Sequence, residues 1–225
     1  AAATLFVRDK DLRRQQAMRF GTVLTNCGFM AYPLQTALLG TIGVFYGSAY
    51  VLVFTFVAWT YGLYLMSSGK GKFSLRPLLL NPGVISVAVA FLLYILRIDL
   101  PDLLYTPIQS LSNLNTPVPM VILGYQLSQA DFKTALHSRT MWVSAALRLL
   151  ILPAAALGLC LIVKPVHDVA IAITVAASAP PPALLSMFSA KFGHDTAFPS
   201  SMISVQTLMS VITMPIIVAL AMTLC

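Results

Sequence analysis

The chain predicts an all-α polytopic membrane protein with about seven transmembrane helices, and three observations carry that reading. Of its 225 residues 58% are apolar and 9% charged, against about one quarter charged in a soluble domain. Mean hydropathy is +0.85. Seven mainly apolar stretches approach or exceed the roughly 20 residues a membrane helix needs: 18–40, 42–66, 79–96, 103–128, 141–163, 166–190 and 199–224. Nearly all the charge lies between them, as Arg8 to Arg19, Lys70 to Arg76, Arg97 to Asp102, Asp131 to Arg139, Lys164 to Asp168 and Lys191 to Asp195.

With the N-terminal segment in the cytoplasm, eleven of the 14 basic residues fall in inside loops. Arg97 and Lys164 are then outside and Arg148 lies within a span. The positive-inside rule thus puts the N-terminus in and the C-terminus out. Ala1 to Phe6 is apolar and precedes the basic cluster, the reverse of a signal peptide. It reads as the tail of an earlier span, so the chain is expected to be the C-terminal part of a longer transporter. Cys27, Cys160 and Cys225 are scattered through apolar sequence and read as inert thiols.

The first, fourth and sixth spans are irregular. In the sixth, Pro180, Pro181 and Pro182 follow Ser178-Ala179 and remove three successive backbone donors, so the helix must break at mid-membrane. Freed carbonyls at that depth are tolerated only inside protein or beside a wet cavity, which is why broken helices mark transporter sites. The first span holds Asn26, Gly28 and Pro33 within about two turns and is a second break candidate. The fourth carries Asn113, Asn115, Thr116, Pro117 and Pro119, read either as interhelical glue or as a cavity lining. The first and sixth spans both close on a glycine, Gly40 and Gly193. They run in opposite directions, as elements of an inverted repeat do.

The stretches Asn26-Cys27-Gly28-Phe29-Met30-Ala31-Tyr32-Pro33-Leu34, Pro117 to Leu127, Ala179-Pro180-Pro181-Pro182-Ala183 to Gly193, and Ser200 to Pro215 resemble the auxin efflux carrier family. That family includes plant auxin exporters and bacterial carriers of malate-like organic acids. The spacing of Arg148 and Pro153 is similar to its eighth helix. The resemblance implies ten helices in two inverted repeats of five, each with two scaffold helices and three transport-domain helices. Broken helices four and nine would cross at the substrate. Residues 1–67 would then end the first repeat, 68–78 form a cytoplasmic linker, and 79–225 make the complete second repeat. A homodimer through the scaffold helices, in the plasma or inner membrane, fits the same pattern.

The expected function is alternating-access transport of a small organic anion, a mono- or dicarboxylate that is auxin-like or malate-like. A ligand-binding sensor or scaffold built on the carrier fold is the alternative, and a seven-helix receptor a more distant one. The segments after Pro33 and Pro182 would offer free N–H groups to the anion. Asn26 would donate its amide or brace the crossing, while Ser178 and Asn115 are further contacts. Arg148, nine residues past Arg139, is expected to snorkel toward the cytoplasm; otherwise it attracts the anion. No phosphate loop, nucleophile with its base, or paired carboxylates are present, so no enzyme, cofactor or metal is expected. There is no Glu and every Asp lies in a predicted loop, which favours facilitated or potential-driven movement.

Overall fold

The structure is a computed structural model. It describes Val7, Asp9 and residues 11–67, 82–114, 117–128 and 130–225. Every regular element among the described residues is helical. The linker 68–78 and Asn115 lie outside them.

Helix α1 (Leu12–Val23) is capped by Asp11, whose carboxylate accepts from the Arg13 N–H at 2.9 Å, the usual service of an Asp at this position. It ends at Leu24, which turns extended (φ −92°, ψ 144°). After Thr25 and Asn26 a widened turn, Cys27–Ala31, leads into α2 (Tyr32–Val57). Gly40, at φ 61° and ψ −143°, interrupts α2, a backbone that essentially only glycine adopts. There the chain doubles back. A Cβ on Gly43 would strike the Gln35 carbonyl, and one on Gly47 the Gln35 amide. The arms on either side of Gly40 therefore pack backbone against backbone, at the boundary predicted between the first two spans. A second widened turn, Ala58–Gly62, and α3 (Leu63–Met66) complete the arm.

Helices α4 (Pro82–Leu96), α5 (Asp102–Asn113) and α6 (Pro117–Ser128) follow. The predicted fourth span covers α5 and α6, with the Val118 N–H donating to the Leu114 carbonyl at 3.2 Å between them; prolines at 117 and 119 suit a first helical turn. No residue of α5 is buried. Next come α7 (Phe132–His137) and α8 (Arg139–Ala146), a widened turn Leu147–Ile151, and α9 (Leu152–Val163). The last elements are α10 (His167–Ser178), α11 (Leu184–Lys191) and α12 (Ala197–Leu224). Among the described residues, three helical runs are long and apolar enough to cross a membrane: Leu12–Met66, Arg139–Val163 and Ala197–Leu224. Val84–Leu96 and His167–Ser178 are apolar but shorter.

Two of the apolar core clusters are divided by the breaks, and a third, smaller one joins Ala135, Met141, Ala145 and Val205. The first of the two joins the half before the first break (Met18, Phe20, Leu24) to the half after the second (Leu185, Phe188), with Met202 of α12. Phe188 stacks edge-on against Phe20 at 5.6 Å and Trp59 at 5.3 Å. The other cluster reverses the pairing: Cys27 and Ala31 from after the first break meet Ile171, Val175, Ala176 and Ala179 from around the end of α10. Two broken helices that exchange partners in this way form an antiparallel X.

Candidate functional site: a crossing of two broken helices

The crossing follows from backbone accounting, since every buried carbonyl needs a donor. In a continuous helix the carbonyls of Ala176, Ala177 and Ser178 would accept from residues 180, 181 and 182, and all three are proline. Two of these orphans find donors elsewhere. The Thr25 hydroxyl donates to the Ala176 carbonyl at 2.6 Å, and Arg148 Nη2 donates to Ala177 at 2.5 Å. Arg148 Nε also takes the Ala179 carbonyl at 3.0 Å. The first break reciprocates: the Asn26 N–H, which would otherwise serve Thr22, donates to the Pro180 carbonyl at 2.7 Å. Arg148 Nη1 then takes Thr22 at 3.3 Å.

Arg148 does not snorkel. It is 2% exposed, between the two breaks, on the widened turn Leu147–Ile151. Its three acceptors are carbonyls at the C-terminal ends of α1 and α10, the negative ends of the helix dipoles, which is how a guanidinium is held here without a carboxylate. Among the described residues the one ion pair is the exposed contact Arg14–Asp11, at 3.9 Å. Four residues before Arg148, and so on the same face, Ser144 pairs with the Thr22 hydroxyl at 2.7 Å. The Gln206 side-chain Nε2 donates to the Ser144 hydroxyl at 3.5 Å.

Of the residues singled out in the sequence, Asn26, Ser178, Pro180, Pro181, Pro182 and Arg148 come together here and are buried. Asn26 is 2% exposed, and its side-chain Nδ2 is buried without a hydrogen-bond partner. Ser178 donates its hydroxyl to the Val175 carbonyl at 2.9 Å. Pro33 is exposed in the first turn of α2, where a missing N–H does no harm. The break precedes it, at residues 24–26, and the second half of the helix begins at Cys27 rather than after the proline. Sequence reasoning missed Thr25 and also Gln35, which donates to the Ala172 carbonyl at 2.8 Å. Counting the carbonyls orphaned by the prolines would have called for a donor such as Thr25, whereas the Ala172 carbonyl is not among them and left no such signal for Gln35.

A family model described as "Membrane transport protein" matches residues 70–218, well over half of the chain. The chain belongs to this family. The auxin efflux carrier resemblance is thereby upheld, and the protein is a multi-pass membrane transporter acting on a small molecule within the bilayer. The carrier's matched segment includes Arg148 and the triple proline, whereas Asn26 joins them through geometry alone. Comparison with curated proteins found no match. Comparison with solved structures found none either.

At the end of the carrier that holds its basic loops, α1, α7 and α12 are tied together. The Asp131 N–H donates to the Ser201 hydroxyl at 2.8 Å, and Arg14 lies over the Phe198 ring at 5.1 Å. The Thr134 hydroxyl and N–H both donate to the Asp131 carboxylate, holding its pKa below the ordinary aspartate value. Burial pushes the His194 imidazole below its usual 6.5, with Arg13 adding to the effect and Asp11 opposing it.

Proposed function

We propose that the protein carries small organic anions, mono- or dicarboxylates of malate-like or auxin-like type, by alternating access, with the carboxylate held at the crossing. The observation that carries this reading is the Asn26 amide, buried and unpartnered beside a buried guanidinium that has no carboxylate. An orphan donor near a buried positive charge that only backbone carbonyls balance is a place suited to an anion. Asn26 would donate to the carboxylate, and the helix halves that begin at Cys27 and Leu184 would turn their positive ends to it. Arg148 would supply the field, Ser178 a second polar contact, and Pro180, Pro181 and Pro182 the permanent break. Pro33 is proposed only to start its half-helix. Asn115 keeps its proposed role as a contact from the scaffold side.

In this reading residues 1–67 close a first repeat and 79–225 form the second, inverted one. α4 to α6 then act as scaffold, and α8 to α12 move as the transport domain with α1 and α2. The N-terminal segment is cytoplasmic, the C-terminus external, and the scaffold offers the surface for a homodimer. Asn26→Ala is the test, by calorimetry with short carboxylates on protein in nanodiscs. Loss of one charge-assisted hydrogen bond, about 1.5–3 kcal/mol, lowers affinity about 10- to 150-fold while the melting temperature stays put. Unchanged affinity would remove the crossing as the site.

A further inference from the structure

We propose that the rim where α4 passes into α5 binds the headgroup of a phospholipid that carries a primary amine, with Arg97 on the phosphate and Asp99 and Asp102 on the ammonium. The inference needs only that the chain spans a membrane, so it is independent of the substrate assigned to the crossing. Helix α4 closes on Arg97, whose φ of 50° lies in the left-handed region that usually falls to glycine. The Arg97 and Ile98 N–H groups donate back to the Tyr94 and Leu93 carbonyls at 3.2 and 3.1 Å. Helix α5 starts after Pro101, with Asp102 in its first turn. At these two stops lies an open cavity of about 660 Å³, lined in part by Tyr94, Arg97, Asp99, Asp102 and Tyr105, a size in the range of small-ligand sites.

Three charges share this cavity and do not meet. Among the described residues Arg97 is in no ion pair, and the carboxylates of Asp99 and Asp102 accept no hydrogen bond, whereas those of Asp9, Asp11, Asp131 and Asp195 each accept one. A simple anion would suit Arg97 and be repelled by the two carboxylates; a simple cation would meet the reverse. A zwitterion whose phosphate and ammonium stand an ethylene bridge apart complements all three. The planar fork of Arg97 matches phosphate oxygens. A primary ammonium brings three donors to the carboxylates, and a trimethylated one brings none. The surroundings supply depth and room for chains. Tyr94 and Tyr105 flank the charges, and tyrosines of this kind sit at headgroup level. Further along both helices Phe91, Leu92 and Ile95 of α4 and Leu104, Ile108 and Leu111 of α5 are exposed, and no residue of α5 is buried. Acyl chains descending from the headgroup would lie along them.

Native mass spectrometry of the protein released from a neutral detergent counts retained lipid, offered as matched dioleoyl forms of phosphatidylethanolamine, phosphatidylcholine and diacylglycerol. The parent is expected to retain one phosphatidylethanolamine about five-fold more tightly than one phosphatidylcholine, the worth of a well-formed exposed ion pair, and to hold diacylglycerol least. Asp99→Asn combined with Asp102→Asn should bring the first ratio to about one. Arg97→Gln should bring phosphatidylethanolamine down toward diacylglycerol. All three side chains are exposed, so the variants should melt with the parent; should the double variant fail to fold, Asp99→Asn alone is held to the same criterion. A ratio near one in the parent, an unchanged ratio in the carboxamide variant, or undiminished phosphatidylethanolamine on Arg97→Gln overturns the site. A parent that appears as a lipid-free dimer also overturns it, and gives the α4–α5 face to a second copy of the chain.

Discussion

Arg148→Met tests whether the guanidinium holds the crossing together. Methionine covers much the same volume but donates nothing, so the carbonyls of Thr22, Ala177 and Ala179 lose their partners at once. A buried group left unsatisfied costs about 1–3 kcal/mol, giving roughly 3–9 kcal/mol for three. Relief from burying a charge without a carboxylate works against this, because a buried charge is costly to desolvate. The low end of that range is the expected loss. For a chain of this size each 1 kcal/mol moves the melting temperature by about 2–4 °C, so Arg148→Met should melt about 6–12 °C below the parent in the same nanodiscs. Arg148→Lys keeps the charge but has no planar fork for three divergent acceptors, and should fall between the two. Carboxylate affinity should follow charge rather than stability, kept in the lysine variant and lost in the methionine variant. A methionine variant that melts with the parent and binds carboxylate normally would refute the clamp.

Replacing Pro180, Pro181 and Pro182 together by alanine returns donors to the carbonyls of Ala176, Ala177 and Ser178 and lets α10 run into α11. Helix content by circular dichroism should rise slightly while carboxylate binding disappears, and a variant that binds like the parent would exclude the free helix end from the site. The third prediction concerns pH. His194 is held below its usual 6.5, so the unfolded chain binds its proton more readily and the stabilisation present above that value is lost as pH falls through and below it. The melting temperature should therefore drop between about pH 7 and pH 5, with a shallower drop in His194→Gln; parallel curves would show that the loop plays no part.

The second break was legible because three prolines in a row act locally and forbid a helix whatever surrounds them. The closing glycines were legible for a similar reason: Gly40 and Gly193 have φ of 61° and 65°, a region other residues avoid. The first break was displaced in the sequence reading because Pro33 looked like its cause, whereas a proline in a first turn marks a helix beginning. Arg148 was misread for a deeper reason. Its acceptors are main-chain oxygens 126, 29 and 31 residues away, and backbone acceptors leave no trace in residue identity. Only the number of orphaned carbonyls hints at the donor, and which arginine supplies it is decided by packing.

The reciprocal exchange of hydrogen bonds between the two breaks also sets a timetable for biosynthesis. Thr25 and its acceptor, the Ala176 carbonyl, are 151 residues apart. At roughly 5–20 residues per second the ribosome needs about 8–30 s to make the second after the first. Throughout that interval the first break sits at the membrane with the Thr25 hydroxyl and the Asn26 N–H lacking their final partners, which lie at Ala176 and Pro180. Its polar groups must be kept wet or held by the insertion machinery until α10 arrives. Early termination anywhere before the triple proline would leave a chain that is long, apolar and unable to close, which makes nascent-chain quality control as much a part of this carrier's working life as the passage of its substrate.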